Sequence, residues 1–522
     1  MEDSHFIIQF LRKPIVIASL LFLVLVYFVS GQLNHAPMGI HAWAQADYYA
    51  MAQRFYMDSW NLFEAQTWVL NKQFPYEWGR IMPDGVTSGN IAIHPYLVGM
   101  CMRLFGTDNP MIYRVYCLAW AFVLIYYVIK IMDQLEMQTF FRWIIGGMVV
   151  FAPVFMYYST NFLNAIPCLA QMFIGVYFYL KYLDTEEKSD WNKAVLILGI
   201  LPIFRTTFLL VFIAVLCNEG LMWLAKRKTF KELIRQFLIV LIPLALIVIW
   251  KVWDKHLFLQ KDGIFLSELM QVRSWNEFKE GMGLISEYWT GQYFLSFHYY
   301  VMAFIIVLGL FVYRKDWFRP ELSFAVIYLI GNICFFFAMF RQYFDHDYYY
   351  LETIFPALLL LTIIAISGAQ FILRRYKVLF GVVVLGFFIL SFNKAKVQYA
   401  DRTNLAVHDA YRFLYECYDG ADAFLTNQGI GREEKIFVLS NMAPNIQLTY
   451  IKRPCVIARK HVEDLFATRG KDIQYFLISR HEMNEHFESV LVQLTPIAKW
   501  NDLVLLKYNE GELTPLEDLK SY

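Results

Sequence analysis

The chain has 522 residues, 58% of them hydrophobic and 17% charged, with a mean hydropathy of +0.41. That is more apolar material than a soluble domain of this size buries, so the class is a polytopic membrane protein. A formal net charge of +1 removes nucleic acid as a bulk electrostatic partner. Aromatic residues make up 18%, as membrane-interface belts require. The seven cysteines lack metal-ligand spacing. Cys101, Cys117, Cys168, Cys217 and Cys334 sit in apolar context as packing residues. Cys417 and Cys455 lie in the polar C-terminal region, where pairing is left open.

Pro14 to Ser30 is an almost uninterrupted apolar run behind Arg12 and Lys13, an uncleaved signal-anchor by pattern. Soon after it comes His41-Ala42-Trp43-Ala44-Gln45-Ala46-Asp47-Tyr48-Tyr49. One ionisable group at a membrane exit, among Trp, Tyr and His, marks a candidate site. The bland alternative is a helix from Ala46 to Trp60 with Asp47 in its first turn, complementing the helix dipole. Residues 31–113 form a large first loop with turn signals at Pro83-Asp84-Gly85 and Thr87-Ser88-Gly89. Within it, Ile91 to Gly106 is apolar but short and carries His94-Pro95 and Arg103, which suits an interfacial helix.

Further spans are expected over Val115 to Met132, Trp143 to Tyr158 and Ala165 to Leu180. Ala194 to Leu224 is too long for one helix and is broken by Pro202 and Arg205. Two spans turning near Arg205 return Lys226-Arg227-Lys228, Lys231 and Arg235 to the side of the N-terminus, as the positive-inside rule demands. Phe237 to Val252 crosses next, Trp253 to Ser296 is a second external loop, and Tyr299 to Tyr313 returns. Leu322 to Phe340, Ile354 to Leu373 (ahead of Arg374-Arg375) and Val378 to Phe392 complete about eleven transmembrane helices. The N-terminus is then cytoplasmic, in a multi-pass plasma (inner) membrane protein of the cell envelope.

From Asn393 the composition becomes that of a small extracytoplasmic α/β domain, residues 393–522, after a membrane domain of residues 1–392. Short strands are predicted at Lys435 to Ser440, Gln447 to Ile451, Ile473 to Ser479 and Asp502 to Tyr508, with a helix over Thr403 to Glu416. There is no nucleotide-binding fingerprint.

The outer face then collects His41, Gln45, Asp47, Arg54 and His94 from the first loop, Asn161 and Asn164 after the third span, and Arg205 at the split. Arg341, Tyr343, Asp345, His346, Asp347 and the run Tyr348-Tyr349-Tyr350 form the last contribution. Polar groups at the interface suit a lipid-linked substrate whose head lies there.

In this pattern the chain resembles the integral-membrane glycosyltransferases of the GT-C fold, which include protein O-mannosyltransferases and lipid A aminoarabinose transferases. Three features carry the resemblance: Asp47 soon after the first span, His94-Pro95-Tyr96 through Leu104-Phe105-Gly106 to Arg114, and His346-Asp347-Tyr348-Tyr349-Tyr350 through Pro356. It covers the chain to Phe392. Two positions depart from it. Many relatives have an acidic doublet where this chain has Asp47-Tyr48, and a carboxylate where it has Asn161 and Asn164. No second acid is therefore carried over.

The resemblance implies a hexosyl- or pentosyltransferase. Its donor is a polyprenyl-phosphate-linked sugar and its acceptor a hydroxyl of a glycan, lipid or protein at the bilayer surface. No cofactor is singled out, and a divalent metal is left open. One carboxylate suffices, because phosphate leaves as an anion and needs no general acid. Asp47 is the expected base, with inversion at the anomeric carbon. His41, Gln45, His94, Asn161, Asn164, Arg205, Arg341, His346 and Tyr349 are the candidate substrate-binding residues. Arg205 suits the carrier phosphate, since guanidinium forks phosphate oxygens. Each has a plain alternative: a hydrogen-bonded His, a snorkelling Arg341, an aromatic belt, turn-capping Asn residues, or an Arg205 paired with a protein acid. The rival function, a transporter of a lipid-linked or small polar substrate, calls for an internal repeat, and none is evident.

Overall fold

The computed structural model describes residues 12–72, 77–261, 269–316, 318–373, 377–410, 412–439, 444–458, 473–481, 491–492, 494–508 and 514–515. Two compact units emerge. The first comprises Met1–Asn34, Arg114–Trp250 and Glu268–Thr403; the second comprises His35–Tyr113, Lys251–Ser267 and Asn404–Tyr522. The first loop thus groups with the C-terminal module. The break before that module falls after Thr403 and not at the composition change near Phe392, because Lys377–Arg402 stays helical through Lys394 and Lys396.

The first unit is helical. Among the described residues, eight helices are long and apolar enough to cross a membrane: Pro14–Gln32, Pro110–Gln134, Ala165–Thr185, Thr206–Leu224, Phe230–Gln260, Pro320–Ala338, Tyr348–Gln370 and Val382–Arg402. The last turns of Phe230–Gln260 belong to the second unit. The pair Trp275–Tyr293 and Ser296–Val312, bent by 84°, makes a ninth if counted as one span.

All eleven expected stretches are helical, but three are too short to cross alone: Ser296–Val312, with 17 residues, counts only with its bent partner, and two others have none. Pro153 begins a separate helix, Pro153–Tyr158, and leaves Thr139–Val150 with 12 residues. At 1.5 Å per residue that reaches about 18 Å of a core about 30 Å thick. Lys188–Phe204 has 17 residues and places Lys188, Asp190 and Lys193 in its first turns. The split near Arg205 is present: that residue is extended between Phe204 and a 3₁₀ turn, Thr206–Phe208. The Arg374-Arg375 loop lies outside the described residues.

Close helix contact here uses small residues, as expected where lipid removes the hydrophobic drive. A Cβ on Gly309 would come within 2.5 Å of Ala365, so Ser296–Val312 and Ile354–Leu373 touch almost backbone to backbone.

The second unit holds a five-stranded sheet in the order Cys455–Ala458, Ile436–Leu439, Tyr475–Ser479, Leu503–Tyr508, Leu494–Trp500. The first three strands are parallel and the last two join antiparallel. Ile436–Leu439 is buried at every position, the mark of a parallel strand covered on both faces.

The strand expected at Gln447 to Ile451 is instead the helix Pro444–Ile451. The β-rich Thr449-Tyr450-Ile451 is overridden because parallel strands Ile436–Leu439 and Cys455–Ala458 need a crossover between them. The helix expected over Thr403 to Glu416 is broken into Leu405–His408 and Arg412–Glu416. Among the described residues no disulfide joins Cys417 to Cys455.

Candidate functional site

In the second unit the helix carrying Asp47 runs Ala42–Met57 and starts four residues earlier than its pattern suggests. Gly39 (φ 77°) and His41 (φ 57°) turn the chain through the left-handed region just ahead of it. The turn is pinned twice. Gly39 N donates to Asp409 Oδ2 at 2.8 Å, and Gln45 Nε2 donates to the carbonyls of Ile40 (2.7 Å) and Met38 (3.2 Å). Gln45 is therefore occupied in holding the loop. Asp47 becomes the sixth helical residue, beyond the first turn where a carboxylate answers the helix dipole. The dipole alternative loses its geometry.

Asp47 is only 5% exposed, and among the described residues one donor serves its carboxylate: Asn445 Nδ2 at 2.7 Å from Oδ1. Asn445 lies on Pro444–Ile451, where Ile446 and Leu448 pack with Ala46, Ala50 and Trp68. Burial raises the Asp47 carboxyl to about 7, and the Asn445 hydrogen bond offsets part of that rise. A carboxylate kept buried for structure usually accepts several donors. This one is underpaired and titrates near neutrality, as a general base should.

His94 is 1% exposed in the first turn of Ile93–Phe105, the expected interfacial helix. Burial lowers its imidazole to about 3, so it is neutral at physiological pH. That helix lies tight against the Asp47 helix: a Cβ on Gly99 would stand 2.6 Å from Phe55 Cβ and 2.9 Å from the Ala52 carbonyl. Among the described residues no group of three or more His, Cys, Asp or Glu is placed to hold a metal ion.

In the first unit Arg205 already has a protein acid. Its Nε donates to both oxygens of Glu352 at 2.9 Å, and Thr207 Oγ1 donates to the same carboxylate at 2.8 Å. The guanidinium stands 5.2 Å from the Tyr348 ring and 5.6 Å from that of Tyr349, within cation–π reach. Tyr348 and Tyr350 are buried, and Tyr350 stacks on Tyr293 at 3.7 Å, so these two rings pack inward; Tyr349 is half-buried. The His346 ring lies 5.4 Å from Tyr348 and 6.2 Å from Tyr349.

Arg341 is tied to Glu277 at 3.0 Å. Asn161 Oδ1 accepts from Phe162 N at 2.6 Å, a turn role. Asn164 stands at the start of Ala165–Thr185, yet its side chain makes no cap, and both of its buried polar atoms lack a partner among the described residues. Arg114 donates to the Thr160 carbonyl at 2.6 Å and fixes that same turn.

Three residues were absent from the sequence shortlist. Asn445 belongs to a segment expected as neither helix nor site, so only the crossover brings it to Asp47. Glu352 did leave a signal: an acid directly ahead of an apolar span. Arg402 ends the last long helix, fully buried, with Nη2 paired to Asp347 Oδ2. Tyr158 donates to the other Asp347 oxygen at 2.5 Å. The Arg402 Nε and Nη1 have no hydrogen-bond partner among the described residues.

No protein-family model and no curated protein matches the sequence. Among solved structures the chain is similar to ArnT from Cupriavidus metallidurans bound to undecaprenyl phosphate. The TM-score is 0.55 at 12% identity, covering 96% of this chain and 98% of that one. It is also similar to the Archaeoglobus fulgidus oligosaccharyltransferase in complex with Zn and sulfate, with a TM-score of 0.55 at 10% identity over 93% of this chain and 73% of that one. A third is the mycobacterial arabinofuranosyltransferase AftD, with a TM-score of 0.53 at 9% identity. There the match covers 96% of this chain but 42% of that one. At such identities the likeness is one of fold.

Proposed function

We propose that this chain, which has the GT-C fold of its three structural neighbours, is a membrane glycosyltransferase that moves a sugar from a polyprenyl-phosphate carrier to an acceptor hydroxyl. The observation that carries this reading is Asp47: buried, served by one donor among the described residues, and raised to about 7. A carboxylate so held takes the proton of the acceptor hydroxyl as that oxygen attacks the anomeric carbon. The bond from the anomeric carbon to the phosphate oxygen breaks, and its electron pair leaves with the polyprenyl phosphate. A single displacement of this kind inverts the anomeric centre. The undecaprenyl phosphate bound by ArnT supports the carrier class.

Asn445 acts as a positioning residue that points the Asp47 carboxylate. From the sequence, Arg205 is the cation expected on the departing phosphate; within the first unit its guanidinium is held by Glu352, which Thr207 also serves. Under this assignment Arg205→Lys keeps the charge yet loses at least tenfold in activity, because the fork is gone. Arg205→Met also weakens donor binding. Full activity in a stably folded Arg205→Met protein would return Arg205 to a purely structural pair with Glu352.

The basic loops put the N-terminus and Lys228 in the cytoplasm and the C-terminal module outside. Single cysteines at Lys228 and Glu433 are expected to react with an impermeant maleimide from opposite sides of the membrane. Labelling of both from one side would overturn the topology. The function itself is tested with membranes given a panel of labelled polyprenyl-phosphate sugars. Transfer from at least one donor, dependent on this protein, is the expected result; label that merely crosses the bilayer unchanged would favour a transporter.

A further inference from the structure

On the side of the basic loops the first unit carries two neighbouring cavities. The larger, of about 380 Å³, is almost wholly apolar and is walled by Leu216, Phe230, Leu233, Ile234, Phe237 and Val240. The smaller, of about 180 Å³, is lined by Lys188, Arg227, Lys228 and Arg235 with the acids Glu186 and Glu232. Trp191 and Gln236 line both, so the apolar slot adjoins a basic mouth.

The charges in that mouth are not equivalent. Lys228 is neutralised by Glu219, and it also donates to Tyr182 Oη at 2.8 Å. Arg227 reaches Asp316 at 3.0 Å. Glu232 is turned back on its own helix start, where Oε2 accepts from Thr229 N and Oγ1 at 2.7 Å each; Thr229 to Glu232 is a capping box. Lys188 and Arg235 have no ion-pair partner among the described residues. Two cations without an ion-pair partner among the described residues therefore stand beside an apolar slot at the end of membrane helices, and of the acids in the mouth Glu186 is likewise unpaired.

We propose that this pair of cavities seats an anionic glycerophospholipid of the surrounding leaflet, with its phosphate between Lys188 and Arg235 and one acyl chain in the slot. The chemistry selects the occupant. A zwitterionic lipid brings its own cation to a mouth already rich in them, and a soluble phosphate leaves the slot empty. Basic pockets between helix ends on the cytoplasmic side are suited to anionic head groups. The site does not depend on the glycosyltransferase reading.

The test uses the full-length protein purified in a neutral detergent, with lipid binding read by native mass spectrometry and by thermal unfolding. Phosphatidylglycerol is expected to remain bound and to raise the unfolding temperature, whereas phosphatidylcholine and soluble glycerol 3-phosphate do neither. Lys188→Gln with Arg235→Gln should weaken phosphatidylglycerol binding roughly tenfold, given the attraction of each basic residue to an anionic lipid surface. Lys394→Gln with Lys396→Gln, exposed positions elsewhere, should leave it unchanged. Leu233→Trp, which fills the slot, should lower affinity for the two-chain lipid while sparing response to a short-chain analogue. Equal shifts from phosphatidylcholine, or undiminished phosphatidylglycerol binding in a folded Lys188/Arg235 double variant, would overturn the proposal. A response to glycerol 3-phosphate equal to that for the lipid would reduce it to a surface anion site.

Discussion

Asp47→Asn should lower turnover by about 10²- to 10⁴-fold while leaving donor KM nearly unchanged, because a general base acts on the acceptor and not on the carrier. The wild-type rate should rise with pH through about 7, as the carboxyl loses its proton, and the residual rate of the variant should be flat across that range. Stability should move the other way. The folded-state carboxyl is held above its unfolded value near 3.9, so the native state binds that proton more tightly. Its contribution is fully present below about pH 4 and is lost as pH rises through about 7. Above pH 7 the Asn variant, which never ionises, should therefore be more stable than wild type by roughly 2–4 kcal/mol. Loss of activity with a gain of stability marks a functional carboxylate; an Asp kept for structure would lose both or neither. Asn445→Ala should lower the rate and raise the apparent pKa, since it removes the donor that favours the ionised form.

The second large effect belongs to Arg402 and Asp347. Both side chains are fully buried in the membrane-helix unit, and the guanidinium lies 4.9 Å from the Tyr157 ring and 5.6 Å from that of Tyr158. Removing one partner strands a charge where water cannot reach it, at a cost of about 3–5 kcal/mol. Arg402→Met alone and Asp347→Asn alone should each lower the unfolding temperature sharply in detergent. The double variant should recover much of the loss, because no uncompensated charge remains. Strictly additive losses would mean that the pair is not the unit. Arg453 is a useful contrast. It too is fully buried, but Asp422 Oδ1 at 2.9 Å and the carbonyls of Ile451, Ile430 and Gly431 share its donors, so its role is structural.

What was legible in the sequence followed from long-range monotony. Apolar runs located the eight membrane-length helices among the described residues, though not Trp275–Tyr293 of the bent pair, and Pro202 with Arg205 located the split, because a bilayer tolerates few alternatives to a helix. Span number was less legible. A proline such as Pro153 shortens a helix without changing its hydropathy, and against eleven expected spans the described residues hold eight or nine helices long and apolar enough to cross. Local β-propensity misread Pro444–Ile451, since the demand for a crossover comes from strands that pair only in three dimensions.

The site divided along the same line. Asp47 stood out as an isolated acid, but its start-of-helix position was misjudged, because the turn at Gly39 and His41 depends on Asp409, 370 residues away from Gly39. Asn445 had no sequence signal at all. The partner of Arg205 did: Glu352 is the acid directly before the apolar run from Ile354, and charges beside membrane spans are rarely left unpaired.

The most direct measurement follows the reaction itself in proteoliposomes holding only the purified protein. A polyprenyl-phosphate sugar, labelled in the sugar and isotopically resolved at the anomeric carbon, is supplied with acceptor, and both products are followed. Free polyprenyl phosphate should appear in step with labelled acceptor, with the anomeric configuration inverted and with both products formed about 10²- to 10⁴-fold more slowly by the Asp47→Asn protein. Product with retained configuration, or an Asp47→Asn protein that releases polyprenyl phosphate as fast as wild type, would contradict the account.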